Sequence, residues 1–194
     1  IQGNILKSLI IFAFPVLLAL FLQAMYGAAD LIIVGQFAGT CEQSGVASGS
    51  QLFHTITMII TGLSMGVTVF VGHHIGAGDG ETAGRGVGAG IAIFAALAVV
   101  VTAIVVPFSD ELAAFMHAPA EAFGQTSEYV RICGIGTVFI TAYNVIGAVF
   151  RGIGDSKTPL VTVTMACIIN ILGDLILVAG FGMGAAGAAI ATVS

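Results

Sequence analysis

The chain has 194 residues, of which 58% are hydrophobic and 8% charged, with a mean hydropathy of +1.10; soluble domains carry about 25% charged residues. That balance excludes an ordinary soluble domain and indicates an integral membrane protein. The net charge of −5 rests on few ionisable groups and no basic patch offers a surface to nucleic acid. Cys41, Cys133 and Cys167 are odd in number, widely spaced and free of a CxxC pattern, which points to neither a disulfide framework nor a zinc site.

A spanning helix needs about 20 residues, so the length accommodates about five or six spans. Apolar runs near 6–38, 46–74, 86–107, 125–150 and 160–180, with another opening at about 186, are separated by short breaks containing Gly, Asp and Ser. The expected fold class is therefore an all-α polytopic transmembrane bundle with five complete spans and the start of a sixth. The chain begins at Ile1 and stops at Ser194 within an apolar run, and is read as a piece of a longer protein. No cleavable leader is indicated, because the first run is too long and lacks a cleavage-like boundary.

The first run holds Pro15 and Asp30. Proline removes a backbone donor and crowds the preceding turn, so a long, bent first helix is expected. An aspartate inside a span costs roughly 2.5 to 3.5 kcal/mol on insertion scales, and Gln23, Tyr26 and Asp30 share its helical stripe. That stripe faces something other than lipid. In the second run, His54 is read as a packing histidine, Met58 and Met65 as core, and His73 with His74 as an interfacial pair. The spacings Gly62 to Gly66 and Gly84 through Gly90 suit close helix packing; no strand precedes the latter, so it is no nucleotide loop.

The break at 108–124 is long enough for a short amphipathic helix at the membrane interface, with Leu112, Phe115 and Met116 on one face opposite Asp110 and Glu111. Arg131 follows Glu128 at the spacing of an interfacial ion pair. Lys7, Arg85, Arg151 and Lys157 fall in alternate breaks, which predicts a cytoplasmic N-terminus; the expected location is the inner (plasma) membrane. The Gly-x-Gly-Asp cores at Gly76 to Asp79 and Gly152 to Asp155 read either as convergent turn chemistry or as a weak internal duplication.

The fifth run supplies a second intramembrane acid, Asp174, one turn after Asn170. Two acids accompanied by Asn and Tyr suit an exchangeable hard cation or a proton; the bland alternative is hydrogen bonding between spans. No nucleophile, base and orienting group converge, so no enzyme is expected, and no cofactor beyond a coupling Na⁺ or H⁺.

The opening GNILKSLIIFAFPVLLALFLQAMYGAADLIIVGQFAG, the breaks GHHIGAGD and RGIGDSKTP, and the ending NILGDLILVAGFGMGAAGAAIAT together resemble the MATE family of multidrug and toxic compound extrusion transporters. The resemblance implies twelve spans in two six-helix lobes, with residues 1–194 forming an incomplete N-terminal lobe whose partner is the C-terminal lobe of the same chain. It implies a cation-binding and coupling site at Asp30, Asn170, Asp174 and Thr192 with Asn144 close by, able to take Na⁺. It also places Gln23 and Tyr26 in the supporting polar network and Pro15 at the helix kink. The expected function is antiport of Na⁺ or H⁺ against cationic or amphiphilic small molecules across the bilayer. The alternatives are a lipid or lipid-linked glycan flippase, disfavoured because Arg131 is the one candidate basic residue at mid-depth, and a structural membrane subunit, which would need no acid pair.

Overall fold

The computed structural model describes residues 5–194; Gly3 and Asn4 of the opening motif, like the first two residues of the expected lobe, lie outside the described residues. The chain forms α1 (Ile5–Phe37), α2 (Thr40–Gly76), α3 (Gly80–Val105), a short α4 (Ser109–Phe115), α5 (Phe123–Gly152), α6 (Lys157–Asp174) and α7 (Gly184–Val193). One 3₁₀ turn, Ala120–Ala122, precedes α5, and a π-helical segment, Leu175–Gly180, extends α6. Among the described residues, five helical stretches are long and apolar enough to cross a membrane, and Gly184–Val193 is a shorter apolar helix. There is no strand among the described residues.

The helices begin earlier than the apolar runs. α2 starts at Thr40 and α3 at Gly80, where hydropathy alone places them near 46 and 86, because polar first turns belong to the helix without belonging to the hydrocarbon core. Asp79 fixes the second start: its carboxylate accepts the Thr82 amide at 3.0 Å, meeting one of the donors a helix N-terminus leaves open. Burial is inverted relative to a soluble bundle. Phe14 and Phe139 are 65% and 67% exposed, while Ser64, Thr126 and Asp174 are fully buried, as expected where the surroundings are hydrocarbon and helices meet through small residues.

α5 is the central post. It packs on α2 along most of its length and also on α3, α7 and α4, while α1 lies chiefly against α6. Glycines set the α2–α5 distance: a Cβ on Gly49 would stand 2.5 Å from Tyr129 Cδ1, and one on Gly152 would stand 3.0 Å from the Thr68 carbonyl. Gly86 and Gly90 likewise admit Phe70 and Val67 of α2. The expected packing role does not extend to Gly62, Gly66, Gly84 and Gly88, around which a Cβ would find no described atom within 4 Å. They lie on faces turned away from the lobe.

The two Gly-x-Gly-Asp breaks are the same turn. Asp79 N bonds to His74 O and Gly78 N to Ile75 O; Asp155 N bonds to Phe150 O and Gly154 N to Arg151 O. Gly78 and Gly154 take φ of 78° and 87°, a left-handed conformation open to glycine at little cost. Each aspartate then caps the next helix, Asp155 accepting from Lys157 N, Thr158 N and Thr158 Oγ1. Those bonds, with Thr158 first, hold the Asp155 carboxyl below the usual carboxylate range, and bonds from Thr82 do the same for Asp79.

Three local expectations need correction. α4 turns Ser109 and Ala113 inward, with Leu112 against the core, but Phe115 is 75% exposed, so the apolar residues do not share one face. The Ser127 hydroxyl donates to Asp110 and ties α4 to α5. Glu128 and Arg131 form no ion pair; the ion pairs among the described residues are His74 with Asp79 and Glu81 with Arg85. His54, Met58 and Met65 are exposed instead of packed, since α2 presents that stripe away from α5.

Candidate functional site

The helices that carry the two acids bring them together in the interior. Asp30, on α1, is 4% exposed, and Asp174, the last residue of α6, is fully buried. α1 and α6 pack directly against each other. Asp30 Oδ1 and both oxygens of Asp174 have no hydrogen-bond partner, and the same holds for the amide nitrogen and oxygen of Asn170 and for Thr192 Oγ1. Buried polar atoms are nearly always paired, and oxygens left unpaired on three helices are of the type that suits a small hard ion or a proton.

Glycine again explains how the third helix arrives. A Cβ on Gly173 would lie 2.9 Å from Ala191 Cβ, and one on Gly136 would lie 2.3 Å from Val193 Cγ1. These gaps in α6 and α5 receive the residues on either side of Thr192. Asp174 stands where α6 widens into its π-helical extension, an irregularity frequent at functional sites. Nothing in the hydropathy of 160–180 announces that widening. Tyr129 is another residue that sequence reasoning passes over. It is 1% exposed; its place at i+3 from Thr126 and i−4 from Cys133 on the buried stripe of α5 was the available signal.

The remaining expected residues divide. Tyr26 lies one turn before Asp30 on α1, and the α1–α6 contact beside it is tied by Cys167 Sγ donating to the Leu22 carbonyl at 3.6 Å. Gln23 and Asn144 instead line a separate cavity of about 80 Å³ with Thr61, Tyr143, Arg151 and Ser156. Asn144 is already engaged there: its Oδ1 accepts from Thr61 Oγ1 at 2.8 Å and its Nδ2 donates to the Ile140 carbonyl at 2.8 Å. It therefore ties the α2–α5 seam. Pro15 is buried inside α1, which continues through it. Arg151, expected in a loop, is in the last turn of α5 and lies back over Gly147 into the cavity.

A bundle of membrane-length helices with two buried acids in its interior is a lobe of a polytopic membrane protein. The family model described as MatE matches residues 15–176, and the chain belongs to that family. It is 31% identical to the probable multidrug resistance protein NorM of Thermotoga maritima over 98% of this chain and 42% of that protein. To the probable multidrug resistance protein YpnP of Bacillus subtilis it is 29% identical over 99% of this chain and 43% of the relative. Among solved structures, a MOP superfamily transporter from Pyrococcus furiosus superposes with a TM-score of 0.91 at 28% identity, covering 99% of this chain and 42% of that one. An outward-facing multidrug resistance MATE family transporter gives 0.91 at 28% identity over 98% and 42%. The chain thus spans less than half the length of these relatives.

Proposed function

We propose that this lobe forms the cation-coupling half of a secondary antiporter, which exports cationic or amphiphilic small molecules as Na⁺ or H⁺ moves inward. The observation that carries the reading is the set of unpaired buried oxygens at Asp30, Asp174, Asn170 and Thr192. Uncompensated anionic oxygens in a low-dielectric interior are costly, and a bound cation or proton removes that cost. Occupancy then biases the lobe between conformations that differ in their affinity for the ion, and substrate does the same from its own site. The MATE relatives include solved structures described as bent and straight. Pro15 within α1 is the point at which this chain would make that exchange.

Lys7, Arg85, Arg151 and Lys157 gather at one end of the bundle, where the α2–α3 and α5–α6 turns lie. This asymmetry supports a cytoplasmic N-terminus in the inner membrane. The second lobe of the same chain and a small-molecule substrate complete the transporter. Substituting Asp30→Asn and Asp174→Asn in the full-length protein tests the reading. Loss of ion-driven efflux at wild-type abundance is the expected result; efflux retained in both variants overturns it.

A further inference from the structure

Two consecutive side chains at the start of α2 reach two different helices of the acid cluster. Neighbouring residues on a helix point about 100° apart, so one turn can serve two partners. Gln43 Nε2 donates at 3.0 Å to the carbonyl of Leu31, the residue after Asp30. The amide fills space that only a glycine leaves: a Cβ on Gly35 would stand 2.5 Å from Gln43 Nε2. Glu42 Oε2 accepts the Ala185 amide at 2.7 Å, capping the first turn of α7 from far away in sequence. Gly184 makes room here, with φ of 52° and a Cβ position 2.5 Å from that oxygen. A carboxylate at a helix N-terminus also meets the positive end of the dipole.

Thr192 lies two turns along α7 from Ala185, a rise of about 10 Å. The Leu31 carbonyl lies inside α1, so its bond to Gln43 is not needed to satisfy a helix end. We propose that Glu42 and Gln43 are positioning residues, which clamp α1 and α7 to α2 and so set the spacing between Asp30 and Thr192. The clamp rests on the cation-site reading above. It holds two of the three helices that supply oxygens.

The test uses full-length transporter in proteoliposomes. Efflux is titrated with Na⁺ at a mildly alkaline pH and with protons in Na⁺-free choline buffer, and thermal stability is measured alongside. Q43E keeps the side-chain length and loses the donor; G35A pushes the native amide away; E42A removes the cap, and E42Q retains an acceptor oxygen. Half-saturation for the effective cation should rise roughly tenfold in Q43E, G35A and E42A, the lower end of the cost of losing a partner behind a metal ligand. Maximal rate per folded transporter should stay near wild type, and E42Q, which keeps the acceptor but loses the charge, should have a half-saturation between those of wild type and E42A. Unchanged half-saturation with lowered stability would overturn the clamp, and loss of transport in D30N would then leave the cation site standing. Transport unaffected by D30N would remove the site and the clamp together.

Discussion

Gly49→Ala probes how closely α2 and α5 must approach. The new methyl would stand 2.5 Å from Tyr129 Cδ1, 3.1 Å from Cγ and 3.3 Å from Cβ, where carbon atoms attract at about 3.5–4.0 Å. Tyr129 is 1% exposed and has no open side to retreat into. Overpacking of this kind costs about 1–3 kcal/mol, and the helix preference of alanine over glycine returns about 0.5–1 kcal/mol. A net loss of roughly 0–2.5 kcal/mol remains, towards the upper end because Tyr129 is enclosed. Cys133 and Cys167 are buried and Cys41 is exposed, so thermal unfolding of the full-length protein can be followed by the appearance of dye-reactive thiols above a constant Cys41 signal. Gly88→Ala is the companion: it meets no described atom within 4 Å and should hold or raise the midpoint. A G49A midpoint at or above wild type would refute the claim that Gly49 sets the α2–α5 distance.

Thr61→Val strands the Asn144 carboxamide oxygen, which is 9% exposed in its residue as a whole, and should cost about 1–3 kcal/mol. Thr61→Ser keeps the donor and should unfold near the wild-type temperature; equal losses in the two variants would assign the effect to packing. Asp155 has a lowered folded-state pKa, set first by Thr158. Its contribution is present above the unfolded carboxylate value of about 3.9 and is lost as pH falls through the lower folded value. Asp155→Ala should therefore be less stable than wild type near neutrality, with the gap closing in acid; a gap independent of pH would contradict the capping account.

Much of this architecture was legible because a bilayer leaves few options. Five apolar runs must become helices, since each backbone group must be satisfied within its own span. Asp30 and Asp174 were legible for a related reason: acids in such runs are expensive enough to imply an interior position. What hydropathy does not encode is which residues meet across helices. Gly136 and Gly173 look like any other small residue until α7 arrives against them, and the sequence does not show that Asn144 bonds Thr61 across the α2–α5 seam. Arg151 follows the same pattern, since a loop position in sequence becomes a cavity wall once its long side chain folds back over Gly147.

The central claim is that the acid pair binds the coupling cation, and the direct measurement is the stability of purified full-length protein titrated with Na⁺ against choline at fixed ionic strength. It is run at one mildly acidic and one mildly alkaline pH. A ligand bound by the folded state raises stability by RT ln(1 + [L]/Kd). The account predicts a saturable rise with Na⁺, or with protons on acidification, that disappears in D30N and D174N. A midpoint unmoved by either cation, or moved equally in wild type and both variants, would contradict it.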